Sequence, residues 1–259
     1  MRNVVFGVYR FLGFHLCNYL LESGQEVAGF DWKSEEDEVE EKREMFGRNA
    51  NYSFCNESWE ANEDIQLYIS LYDYLDDPSF TSEQFRELIG YIECMTEKFQ
   101  KNQTEIVIFL PEEVRDHLHC IMSEWKLKIE QEYVVRYLYI SELYGPWIPP
   151  YKPIINIIEK NNSVLNPNMS KYIYIDDFFR SWKDIMAIQK KSIYVEGKQA
   201  DHWERDLQAY ANDQDLDFSE FVASKNVDFL IEANISLIEG IELIKEHNEK
   251  VAMLRKWNS

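Results

Sequence analysis

The sequence predicts an α/β protein: a three-layer sandwich on a mostly parallel sheet, with a small, mainly helical C-terminal lobe. Two observations carry this. Short apolar runs alternate with amphipathic stretches through about the first 140 residues, as in strand–helix–strand units of a parallel sheet. The texture then changes after "YGPWIPPYKP", where helices and polar turns dominate. At 259 residues the chain is long enough for a substantial core, and 45% hydrophobic and 15% aromatic residues argue for a folded globule.

The elements follow in order. Residues 2–6 form an apolar run, the turn "FGVYR" follows, and "FLGFHLCNYLLESG" places Leu12, Leu16, Tyr19 and Leu20 at helical spacing before the stop at Gly24. "EVAGFDW" is a second strand ending in Asp31, 24 positions after Gly7. A dinucleotide-binding unit sets its ribose carboxylate at an offset of about 20. The charge run at 35–44 reads as a solvated helix face. "NYSFCN" and "DIQLYISLYDYL" are further strands, and "TSEQFRELIGYIECMTEKFQ" is an amphipathic helix capped by Thr81 or Ser82. "TEIVIFLP" is a buried strand, followed by helix over "EEVRDHLHCIMSEWKLKIEQ" and strand over "YVVRYLYISELYG". Beyond lie "IINIIEK" (helix), "KYIYIDDFFRSWKDIMAIQ" (strand into helix), one short strand "SIYV", and terminal helices. Six alternating strands imply a Rossmann-type domain over 1–146. A C-terminal substrate-type lobe over 147–259 follows, with the strand–helix segment near 171–190 returning to the first domain.

Composition excludes some functions. A formal charge of −20 repels phosphate backbones and anionic lipid, so neither nucleic acid nor a membrane surface is an expected partner. Cys17, Cys55, Cys94 and Cys120 are scattered with no CxxC pair, which suits reduced thiols. Arg10, His15 and Asn18 interrupt the first apolar run, and no small-residue cleavage site follows, so the expected location is cytoplasmic. His117 and His119, two apart on a helix, point to different faces, and no metal site is expected.

Five of these segments, in order, resemble motifs of the extended short-chain dehydrogenase/reductase family, the NAD-dependent epimerases and dehydratases of nucleotide sugars. "FGVYRFLGFHL" resembles its TGxxGFIGxxL turn, and "EVAGFDW" its second strand with terminal Asp. "ELYGPWIPP" resembles its YGP turn, "YIYIDDFFRSW" its VDD strand and helix start, and "ISLIEGIELI" a helix near its C-terminus. The resemblance implies a cradle for NAD or NADP at Gly7, Arg10, Phe11, Leu12 and Gly13, with Asp31 at the ribose and Trp32 among the cofactor-binding residues. It also implies small-molecule partners, nucleotides or nucleotide sugars, and allows a homodimer. Asp176 and Asp177 read as helix-capping and packing groups.

The family's chemistry needs a Tyr-x-x-x-Lys pair on the helix after the fifth strand, the cation one turn away stabilising a phenolate. It also needs a Ser or Thr at that strand's end. Here residues 112–130 hold no tyrosine, and the strand ends "FLP". Counting back from Tyr144 puts the tyrosine slot near Arg115 and the lysine slot near His119. Arg10 stands where the cradle takes a middle glycine: it adds bulk in the cofactor's path and a cation that can grip phosphate. A weakened or lost dinucleotide site, residual NAD(P) binding and a different phosphate ligand all stay open. The expectation is a degenerate family member, a non-catalytic nucleotide or nucleotide-sugar binding, regulatory or assembly protein. The alternative is an active epimerase, dehydratase or reductase with acid/base residues rearranged around His119, Arg115 and Tyr144.

Overall fold

The computed structural model describes residues 2–33, 38–55, 64–99, 104–112, 114, 116–159, 169–199, 202–211 and 227–258. Two compact units are distinguished, 1–139 with 190–192, and 140–189 with 193–259.

The first unit runs β1 (Arg2–Phe6), α1 (Phe11–Glu22), β2 (Val27–Phe30), α2 (Glu38–Gly47), β3 (Tyr52–Phe54), β4 (Ile65–Ser70), α3 (Tyr72–Asp76), α4 (Ser82–Thr96), β5 (Thr104–Pro111), α5 (Asp116–Glu132) and β6 (Val134–Ile140). The second holds β7 (Leu143–Tyr144), α6 (Pro153–Ile158), a 3-10 turn at Met169–Lys171, β8 (Ile173–Tyr174), α7 (Ile175–Arg180), α8 (Trp182–Ala187), β9 (Ser192–Lys198), α9 (Trp203–Ala211), β10 (Phe229–Glu232) and α10 (Leu237–Asn258). The main sheet has eight strands in the order β10-β9-β6-β5-β4-β1-β2-β3, and β7 pairs with β8 separately.

Parallel pairing of β1 with β2 and β4 puts Val4 beside Ala28 and Leu67. All three are fully buried, as befits strands covered on both faces. One side of this sheet packs Val4, Phe6, Leu67, Ile69, Ile106 and Ile108 into the core that α4 and α5 cover with Phe85, Leu88, Ile92 and Trp125. At about 25 cal/mol per Å² of apolar surface, such a core is the main stabilising term of the unit. Thr81 caps α4 in a full capping box with Gln84. Gly24 ends α1 at φ +74°, a left-handed position that suits glycine.

The second unit is organised by buried polar groups. The Asp177 carboxylate accepts the backbone N–H groups of Asn234 (2.9 Å) and Ile235 (3.1 Å), tying α7 to the segment that opens α10. Ser141 Oγ donates to the Lys171 carbonyl (2.7 Å) and accepts the Gly197 N–H (3.2 Å). Beside it, the ammonium of Lys171 lies 2.8 Å from Glu196, both side chains under 10% exposed.

Several expectations need correction. The tail of "DIQLYISLYDYL" is helical, because the strand ends at Ser70 and α3 starts at Tyr72. Strand also breaks after Ile140, so "ELYG" supplies β7 rather than extending β6. Among the described residues, "SIYV" extends to Lys198 as β9, and "FLIE" adds β10 at the sheet edge, so the main sheet has eight strands rather than the expected six. The charge run is not wholly solvated either. Residues 35–37 of it lie outside the described residues; within the rest Val39 turns inward, and Lys42 is buried with its ammonium on the Tyr9 carbonyl (3.0 Å).

Cys17 and Cys55 are buried, Cys94 and Cys120 exposed, and burial pushes the Cys17 and Cys55 thiols above their ordinary range. A thiol-reactive dye should therefore label two cysteines rapidly in the native protein and all four only in denaturant. Rapid native labelling of Cys17 would contradict the packing of α1 on the sheet. Among the described residues, no helix is long and apolar enough to cross a membrane, and no group of three or more side chains could hold a metal ion.

Candidate functional site

The glycine turn lies where parallel α/β sheets bind ligands, beyond the carboxyl end of β1. Gly7 takes φ +81°, opening the turn at a conformation that L side chains rarely adopt. A Cβ on Gly13 would stand 2.0 Å from the Gly7 carbonyl oxygen, so glycine there lets α1 lie directly on the turn. Arg10 is the N-cap of α1, without a side-chain cap hydrogen bond, and Phe11, Leu12 and Gly13 form the first turn.

The N–H groups of this turn have partners within the protein. Gly7 and Val8 donate to the Phe30 carbonyl (2.9 and 3.1 Å), and Arg10 donates to Gly7 (2.9 Å). Tyr9 donates to Asp31 Oδ2 (2.8 Å). Leu12 donates to the Asp73 carboxylate, 3.2 Å from Oδ2 and 3.3 Å from Oδ1. Asp73 also accepts the Ser70 hydroxyl (2.9 Å) and is itself buried.

Asp31 is equally engaged. Its side chain is fully buried, accepting Trp32 N–H (2.7 Å) and the Tyr74 hydroxyl (3.1 Å) besides Tyr9, with Arg10 Nε 3.7 Å from Oδ1. Burial raises the Asp31 carboxyl pKa, while Arg10 and the three donors pull it back. The Arg10 guanidinium donates to the carbonyls of Trp32 (3.2 Å) and Lys33 (3.3 Å) and lies 4.9 Å over the Tyr74 ring. Asp31 is thus held by Tyr9, Trp32 and Tyr74 with Arg10 beside it. Trp32 packs edge-on against Tyr74 and Phe80, and Arg43 sits over the Tyr9 ring.

The turn, Arg10, Asp31 and Trp32 are brought together; the other candidates lie apart from them in role. Tyr144 is fully buried, its ring against Tyr174 and 2.5 Å from where a Cβ on Gly240 would stand. Burial pushes its phenol far above the ordinary range, which suits packing rather than proton transfer. Arg115 lies outside the described residues, and of His119 only the backbone, in α5, is described. Asp73, Tyr74 and Lys42 escaped sequence reasoning. An Asp three positions beyond Ser70 is a weak signal, hidden once "YDYL" is read as strand.

Glu142, just past β6, is a second unusual carboxyl. Burial pushes it up to about 8 even though Lys152 Nζ lies 2.8 Å from Oε1; the ammonium favours the charged form, and desolvation is the larger effect. A carboxyl raised above its ordinary 4.5 binds its proton more tightly when folded. Its contribution to stability is thus complete below about pH 4.5 and lost as pH rises through about 8. Glu142→Gln, neutral at every pH like the protonated carboxyl, should leave the melting temperature nearly unchanged at acidic pH and flatten its decline from pH 5 to 8. An unchanged slope in thermal melts would remove Glu142 from that titration.

A cleft of about 470 Å³ opens between the end of β2 and α4, lined by Phe30, Trp32, Gly90, Tyr91, Cys94 and Met95. Glu87 and Lys98 also line it, and Lys33 over the Trp32 ring pairs with Glu87 at 2.6 Å.

No family model matches this sequence, and no curated protein matches it. Solved structures do match in fold. The UDP-glucuronic acid 4-epimerase of Bacillus cereus, solved with NAD, superposes with a TM-score of 0.63 at 13% identity over 97% of each chain. The UDP-glucose 4-epimerase of Thermotoga maritima, solved with UDP-glucose, gives 0.57 at 15% identity over 97% of this chain and all of that one. The yeast methylglyoxal/isovaleraldehyde reductase, solved with NADPH, gives 0.58 at 13% identity over 96% of this chain and 99% of that one. The fold is that of the NAD-dependent epimerases and dehydratases.

Proposed function

We propose that this chain carries the epimerase fold without its chemistry: a non-catalytic protein that binds a nucleotide or nucleotide sugar and works in regulation or assembly. One observation carries the reading. The helix that follows β5 reads DHLHCIMSEWKLKIEQE and offers no phenol to move a proton beside a nicotinamide. The end of β5, Phe109-Leu110-Pro111, offers no hydroxyl to share the work. A dinucleotide site that is weakened or lost fits the same reading, since Asp31 and the turn N–H groups already have partners.

A ligand role is supported by the cleft at Trp32. Its volume falls in the range of about 300–1,000 Å³ typical of small-molecule sites, and its aromatic walls suit a planar base. UDP-glucose and UDP-glucuronic acid are the first ligands to test, being those of the similar epimerases. Titration of these sugars with NAD and NADP, read by thermal melts, should raise stability with a UDP sugar alone. At a hundredfold excess over the dissociation constant the gain is about 2–3 kcal/mol. Incubation with NAD(P) should leave the nicotinamide absorbance and the sugar stereochemistry unchanged. Turnover of either would overturn the reading and favour an active enzyme with rearranged acid/base residues.

A further inference from the structure

We propose that Asp73 and Arg10 are a built-in substitute for a bound phosphate and its counter-charge, holding the glycine turn in shape without a ligand and excluding an anion from it. The first turn of a 12-residue helix presents N–H groups that lack intrahelical partners, together with the positive end of the helix dipole. Such an end is satisfied by an N-cap oxygen, by an acidic residue of the first turn, or by an external anion. In α1 the N-cap is an arginine without a side-chain cap hydrogen bond, and the first turn contains no acidic residue. The negative charge arrives instead from α3, where Asp73, 61 residues away in sequence, accepts the Leu12 N–H with both carboxylate oxygens within 3.3 Å.

That carboxylate is not a casual surface contact. It is buried, and the Ser70 hydroxyl holds Oδ2 at 2.9 Å. A phosphate approaching Leu12 would meet a fixed negative charge where it needs a donor, and repulsion inside a protein is far stronger than in water. Arg10 completes the substitution. Its guanidinium, 18% exposed, lies near the buried carboxylate of Asp31, donates to two carbonyls beyond β2, and covers the Tyr74 ring. The cation that sequence reading offered as a phosphate grip is thus engaged with the protein's own groups. Lys42 braces the turn from α2 through the Tyr9 carbonyl.

This goes beyond the non-catalytic reading, because it assigns anion exclusion to two named side chains. The test follows the Leu12 amide resonance by NMR while inorganic pyrophosphate is added to the wild type, Asp73→Asn, and Arg10→Gly with Asp73→Asn. The wild-type Leu12 resonance should stay fixed, and in the double variant it should move saturably, with an apparent affinity at least about tenfold tighter, equivalent to about 1.4 kcal/mol. Movement of Leu12 in the wild type at the same concentrations would overturn the proposal, as would a folded double variant in which Leu12 stays fixed. If the double variant fails to fold, the single Asp73→Asn, which retains an acceptor for the Leu12 N–H, is judged by the same two outcomes. Failure of UDP sugars to bind the wild type would sink their assignment as ligands and leave Leu12's response to pyrophosphate unaltered, so the two ideas fail separately.

Discussion

Lys171→Met is expected to destabilise the protein by about 3–5 kcal/mol in urea titrations, the cost of leaving a buried charge without its partner. The Lys171 ammonium and Glu196 carboxylate lie 2.8 Å apart, both side chains more than 90% buried. With the ammonium gone, Glu196 must either keep an uncompensated charge out of water or take up a proton at neutral pH. The control is the double variant Lys171→Met with Glu196→Leu. Replacing both members of a buried pair by apolar groups is often neutral, so most of the lost stability should return. If the single variant loses less than about 1 kcal/mol, the pair is wetter or looser than its geometry states.

Gly13→Ala should be at least as damaging, by about 3 kcal/mol or more, or should abolish folding. The added Cβ would fall 2.0 Å from the Gly7 carbonyl oxygen and 2.7 Å from its carbon. Both are backbone atoms of the turn, so no side-chain rotation relieves the overlap and α1 must lift off the sheet. Gly90→Ala supplies the opposite sign. Gly90 sits inside α4, and a Cβ there meets nothing within 4 Å, so the helix gains about 0.5–1 kcal/mol of propensity without a clash. A destabilised Gly90→Ala would mean the cleft beside it is filled.

The difference between those glycines marks what could be read in advance. Gly7, Gly13 and Asp31 stand in a spacing that has a mechanical meaning, so the strand–turn–helix unit was legible from order alone. The apolar run of β5 was legible too, because a strand buried on both faces leaves no alternation to confuse it. "FLIE" was not. It is four residues long, and at the sheet edge only Ile231 is buried, so it lacks the pattern that marks an inner strand. Asp73 escaped for another reason: it is defined by its partner. A carboxylate that neutralises a helix end 61 residues earlier looks like any polar residue until chain topology brings the two together. Lys171 and Glu196, 25 apart, were hidden in the same way. Absences were easier: the missing phenol of α5 needs no geometry to be noticed.

The strand order has a consequence for biosynthesis. Tyr137 N–H in β6 donates to the Lys191 carbonyl and Ser141 N–H, just past β6, to the Val195 carbonyl, and both bonds need residues made some fifty positions later. A ribosome-bound chain that has released only β1 to β6 therefore exposes an unpaired strand rim carrying Val135, Tyr137 and Ile140, the kind of template on which nascent chains pair with one another. Fragments terminated before Lys191 should for that reason precipitate or recruit chaperones.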